Sequence, residues 1–249
     1  MNIAFQQMDD WYTTSPGREL LEAEHELLDP YLSDFYGTYL VQIGGAPHAE
    51  FAHKSPMTYH VYAGSARPED GFSASIDTDF KELPFLPGSL DVILLPHVLE
   101  FAEQPQHILQ ESYHMLEPGG HLLMLGFNPA SLWGISKLFN FSNDIPWNGK
   151  FHSVYKMMFW LKSIGFRIAV TKSTFYRWPN TSPDLLNKQR MMEAMGVLNW
   201  PIMGASYMII AEKVTEERIK KTAAARQKLI RARPVAASMS RGKAVRGKL

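Results

Sequence analysis

The 249-residue sequence contains no cysteine, which excludes disulfides, thiolate metal sites and a cysteine nucleophile. No apolar run approaches the roughly 18 residues that a membrane-spanning helix needs. Residues 1–10 hold two acids, no base and no apolar core, so no secretory signal is expected and the cytoplasm is the default compartment. Internal repeats are also absent. Net charge is zero, yet that balance hides a regional absence: residues 218–249 carry eleven Lys and Arg and not one Asp or Glu. The remaining chain therefore sets fourteen basic residues against all 25 acids, a formal charge of −11. Its partners and those of the basic tail are separate questions.

What is present suffices for a packed core, with 45% hydrophobic and 12% aromatic residues. Residues 10–37 read as helical, with Leu20, Leu21, Leu27 and Leu28 recurring at three- and four-residue spacings, Ser15-Pro16 as the start and Gly37 as the stop. The pattern then changes to short apolar runs at Tyr39–Ile43, Tyr59–Tyr62, Phe72–Ile76, Leu90–Leu95 and His121–Gly126, which read as buried strands. An amphipathic helix over Pro105–Leu116 is stopped by Glu117-Pro118-Gly119-Gly120. Further helices are expected at Ser131–Phe139 and His152–Ile164, with an antiparallel strand pair at Phe166–Phe175 and Ser206–Ala211. Alternating strands and helices predict an α/β fold with helices on both faces of one sheet. Three regions follow: a helical segment over 1–37, an α/β domain over 38–213 and a basic, largely disordered tail over 214–249.

In open α/β sheets, ligands bind outside the carboxyl ends of the strands, where strand order reverses. That rule selects four loops. Gly44-Gly45-Ala46-Pro47-His48 follows the first strand; it is either an ordinary turn or a loop whose backbone approaches an anionic ligand. Asp77-Thr78-Asp79-Phe80 joins a carboxylate to an aromatic ring, suited to an exocyclic amine and a flat base. Pro96-His97 follows the strongest strand, and His97 is the first candidate for moving a proton, with His152 second. Gly126-Phe127-Asn128-Pro129 leads toward residues 140–151, which read as a loop or lid.

Taken in order, Asp79-Phe80-Lys81-Glu82-Leu83-Pro84-Phe85, Gly88-Ser89-Leu90-Asp91-Val92, His97-Val98-Leu99-Glu100-Phe101 and Met115-Leu116-Glu117-Pro118-Gly119-Gly120 resemble type 11 class I S-adenosylmethionine (SAM) dependent methyltransferases. The specific resemblance covers about 50 residues. It implies a Rossmann-like sheet and SAM as cofactor, with no metal. Gly44, Gly45 and Ala46 match the loop beside the methionine part of SAM. Asp79 matches the acid on the adenine amine, and Phe80 its neighbour against the base. Pro96 and His97 match the loop beside the sulfonium. The sequence departs from the pattern at Gln42, where the family has an acid, and at Ala46 and His48, where it has glycines. It departs again at Tyr62-Ala63-Gly64-Ser65, which lacks the ribose-binding acid and leaves Ser65 or Glu69 as the substitute.

The resemblance implies methyl transfer to a small-molecule acceptor. The alternative is a catalytically inactive methyltransferase-like binding protein. Methyl transfer needs chiefly positioning, because the sulfonium is an activated donor, so the lack of a catalytic dyad excludes neither. With either function, the basic tail is suited to RNA or another anionic surface.

Overall fold

The computed structural model describes residues 3–48, 54–64, 72–78, 82–139, 145–176 and 203–214. The chain divides into a unit over Met1–Val214 and a second over Thr215–Leu249, the latter outside the described residues. Seven strands form one sheet: β1 (Tyr39–Ile43), β2 (Tyr59–Ala63), β3 (Ala74–Ile76), β4 (Leu90–Pro96), β5 (Leu116–Phe127), β6 (Phe166–Thr174) and β7 (Ser206–Lys213). Their order is β3-β2-β1-β4-β5-β7-β6. The first five are parallel, and β7 runs antiparallel between β5 and β6. The expected antiparallel partnership of the last two strands is thus present, with β7 inserted next to β5.

Side-chain alternation along the strands builds a core on each face. Ile93 and Leu95 of β4, with Leu122 and Met124 of β5, share one cluster with Ile108 and Leu109 of α3 (Pro105–Met115) and Met157 and Leu161 of α5 (Val154–Ile164). Val92 and Leu94, with Leu123 and Leu125, face Leu28 and Leu32 of α2 (Ser15–Leu32). Asp91, between those apolar neighbours, accepts hydrogen bonds from the Thr38 and Tyr39 amides at 2.9 and 2.8 Å. The acid of Ser-Leu-Asp-Val therefore fixes the start of β1.

The N-terminal helix predicted over residues 10–37 is two helices, α1 (Ile3–Trp11) and α2. The Thr14 hydroxyl caps α2 by accepting from the Gly17 amide at 3.3 Å, and Pro16 sits in the first turn where it forfeits no hydrogen bond. Pro30 removes a donor near the other end, and α2 closes at Leu32 instead of Gly37. Glu117–Gly120, expected to separate α3 from a strand at His121, lies inside β5. There the register with β4 shifts between Leu90 and Val92, and Gly119 takes a left-handed φ of 96°.

A third cluster lies beyond the sheet faces. Met8, Tyr12 and Leu20 from α1, α2 and their connection meet Phe127 at the end of β5, Trp133 of α4 (Leu132–Phe139), Ile145 and Phe175. It roofs the carboxyl end of the sheet with aromatic rings, Trp133 stacking on Phe127 at 5.9 Å and meeting Trp11 edge-on at 5.8 Å. Among the described residues no helix is long and apolar enough to cross a membrane.

Candidate functional site

Strand order reverses between β1 and β4, so the loops leaving these two strands define the crevice. Gly44 and Gly45 both have left-handed backbones, with φ of 67° and 60°. A Cβ at Gly45 would stand 2.5 Å from Cγ of Pro96, so only glycine lets the two loops close on each other. The Gln42 side chain, fully buried, donates to the carbonyls of Gly44 and Gly45 at 3.1 and 2.7 Å and holds the loop's shape. A short 3-10 turn at Ala46–His48 follows. Burial, opposed by the backbone of Ala46, pushes the pKa of Asp9 on α1 up to about 7.

The loops converge on a carboxylate from outside the sheet domain. Glu24 lies in the buried stripe of α2, between Leu20 and Leu28, and is 0% exposed. Its Oε2 is 2.9 Å from Nε2 of His48, and its Oε1 is 2.7 Å from Nε2 of His97. The Tyr12 hydroxyl donates to Oε2 at 3.5 Å. On the far side of His97, Nδ1 is 3.3 Å from Oε1 of Glu100, which also accepts the Phe127 amide at 2.6 Å. The His97 ring lies over that of Phe127 at 4.1 Å, and its backbone takes a φ of 51°, a conformation uncommon outside glycine.

These contacts fix the charges. Burial by itself would lower the His97 pKa, but the carboxylates of Glu24 and then Glu100 push it up to about 10. Burial would raise Glu24; the charge of His97, then hydrogen bonds from His48 and His97, hold it well below the ordinary carboxylate range. His48 is lowered, burial outweighing the hydrogen bond to Glu24, and stays neutral at physiological pH.

Of the residues predicted from sequence, Gly44, Gly45, Ala46, Pro96 and His97 come together at this crevice. Ser65, Glu69, Asp79 and Phe80 lie outside the described residues. His97, the first candidate for moving a proton, is 1% exposed and lies between the carboxylates of Glu24 and Glu100. His152, the second candidate, is buried, its Nε2 has no hydrogen-bond partner among the described residues, and burial lowers its pKa despite the nearby Glu100 carboxylate. Sequence reading missed Glu24, Glu100 and Tyr12 as site groups and treated His48 only as a missing glycine. The available signal was an acid at four-residue spacing between Leu20 and Leu28, a position that the helical period assigns to the core.

Residues 57–124 match the type 11 family described as a methyltransferase domain. The uncharacterised protein YafS of Escherichia coli K12 is 28% identical over 210 residues, covering 83% of this chain and 81% of that one. The ubiquinone/menaquinone biosynthesis C-methyltransferase UbiE of a Ruegeria species is 28% identical over 149 residues, covering 57% and 56% of the two chains. A SAM-dependent methyltransferase from Thermotoga maritima superposes with a TM-score of 0.61 at 19% identity, covering 82% of this chain and 93% of its own. SAM is the cofactor that this family implies. By sheet order and superposition, the chain has the fold of class I SAM-dependent methyltransferases, and residues 57–124 match their type 11 domain.

Proposed function

We propose that this protein binds SAM in the crevice between the ends of β1 and β4 and transfers its methyl group to a small-molecule acceptor. One observation carries the reading: two left-handed glycines, Gly44 and Gly45, shape the loop at the switch point so that its backbone can approach a ligand. The methionine part of SAM presents a carboxylate, which suits the amides of such a loop. Gln42 keeps the loop in shape through its carboxamide where the family uses an acid. SAM supplies the activated methyl group; the chain's contribution is orientation and the exclusion of water by the aromatic roof over the crevice. His152 takes the acceptor proton where the acceptor needs a base.

Calorimetry with SAM and S-adenosylhomocysteine on the full chain tests this. Saturable binding of both, weakened at least tenfold in Gly45→Ala, is expected. A folded protein that binds neither at millimolar ligand sinks the reading.

A second reading, a binding protein of methyltransferase fold without catalysis, is favoured by the burial of His97, which takes the residue nearest the β4 end out of chemistry. Labelled methyl transfer from SAM into a cell extract, lost in His152→Ala, would rule it out. With either reading, we propose that residues 218–249, eleven basic side chains without an acid, dock on an RNA or another anionic surface.

A further inference from the structure

Glu24, His48 and His97 are more than a hydrogen-bonded knot. We propose that they form a divalent transition-metal site that ties α2 to the loops after β1 and β4.

Three observations carry this. The donor atoms converge: Nε2 of His48, Nε2 of His97 and a carboxylate oxygen of Glu24 all lie within 4.8 Å of one another, and each imidazole addresses a different oxygen of the same carboxylate. All three residues are fully or almost fully buried, so they are not the solvated acids and histidines of an ordinary surface. The second layer of contacts is also that of a metal site. A ligating histidine characteristically gives its other ring nitrogen to a carboxylate, which fixes the ring and directs the remaining nitrogen to the ion. Glu100 holds Nδ1 of His97 in this way and is itself held by the Phe127 amide.

Charge agrees with geometry. Glu24 and Glu100 bring two carboxylates into the interior, and a divalent ion that displaces the His97 proton would balance them. Two nitrogens and one carboxylate suit zinc, iron(II) or cobalt(II) far better than calcium or magnesium, which prefer all-oxygen sites. The three protein ligands leave a further position for water or for the phenol of Tyr12, which lies beside Glu24. Because Glu24 belongs to α2 while the histidines follow β1 and β4, a bound ion would fasten the N-terminal helices over the switch point.

Full-length protein dialysed against micromolar zinc chloride, then against metal-free buffer, tests the site by elemental analysis. One equivalent per chain is expected, with a visible d–d spectrum when cobalt(II) replaces zinc. Glu24→Gln, His48→Gln and His97→Gln should each lower affinity by tenfold or more, and Glu100→Gln by about tenfold through loss of the second-layer contact. The exposed His114→Gln should change nothing. Where a variant fails to fold, X-ray absorption at the zinc edge of the wild-type protein decides: two imidazole nitrogens at about 2.0–2.1 Å are expected. Folded protein that retains no zinc or cobalt, retention unaffected by the three ligand variants, or an edge spectrum without imidazole overturns the site. SAM binding is scored separately and bears on neither result.

Discussion

Leu28 and Glu24 stand one turn apart on α2, both are 0% exposed, and both face the sheet domain, yet they do opposite work. Leu28 joins Leu94 and Leu123 in an apolar face that any large aliphatic residue of the right shape would fill. Glu24 reaches the carboxyl end of the same sheet and is tolerated there only because two imidazoles and a phenol meet its oxygens. Desolvating a carboxylate costs several kcal/mol, which such partners must offset. The middle of the sheet is therefore built for stability and its carboxyl edge for specific polar contact, and one helix serves both.

The sharpest way to break that comparison is to truncate each residue. Glu24→Ala leaves the buried His97 charge without its main partner and is expected to cost about 3–5 kcal/mol in urea unfolding at neutral pH. Leu28→Ala creates a cavity and is expected to cost about 3 kcal/mol, within the usual range for buried leucine. The two should separate in a second readout. Leu28→Ala should leave ligand binding at the crevice intact, whereas Glu24→Ala should release the loops after β1 and β4 and weaken SAM binding. A loss below about 1 kcal/mol for Glu24→Ala would mean that its burial matters little to this fold.

A smaller effect separates the two ends of the sheet. Gly45 and Gly119 both have positive φ, at the carboxyl end of β1 and the amino end of β5. A Cβ at Gly45 would strike Pro96, whereas one at Gly119 would meet nothing within 4 Å. Alanine at either position incurs backbone strain of about 1–3 kcal/mol. Only Gly45→Ala should also lower SAM affinity, because it pushes apart the two loops that form the crevice. Equal SAM affinity in both variants would detach the glycine loop from the cofactor.

The same division explains what was legible in the sequence. Strands β1, β4 and β7 announce themselves because burial on both faces favours apolar runs, and Leu90–Leu95 is the clearest of these despite Asp91, whereas β2, with His60 inside it, gives a weaker signal. The antiparallel ending was readable from two closely matched runs late in the folded region. Helix α1 was not, because its Ile3–Trp11 segment presents apolar residues without a clear stripe or cap. Glu117–Gly120 misled because Pro-Gly-Gly signals a chain break, while here it makes an irregularity inside a strand. At the site, Gly44, Gly45 and Pro96 followed from the rule about strand ends. Glu24 did not: its partners are 24 and 73 residues away, and helical periodicity marks a position as buried without saying what it will meet.

The last effect belongs to Asp9, and it tests whether the polar edge, as opposed to the apolar sheet, gives stability its pH dependence. Burial raises the Asp9 carboxyl to about 7, against 3.8 for the free group; the Ala46 amide opposes that rise, and the charge of Asp10 adds to it. Burial raises the phenols of Tyr12 and Tyr62, and the charge of Asp9 adds to both shifts. Because the folded protein holds this proton more tightly than the unfolded chain, the contribution of Asp9 is fully present below about pH 4 and is lost as pH rises through about 7. Asp9→Asn cannot lose that proton. Urea unfolding of both proteins between pH 4 and 8 should give curves that diverge upward from about pH 4, the variant gaining on the wild type until the difference levels off above pH 7. Leu28→Ala should instead lower the curve by a constant amount. Parallel curves for Asp9→Asn and the wild type would mean that the burial of Asp9, which raises its carboxyl, does not persist in solution.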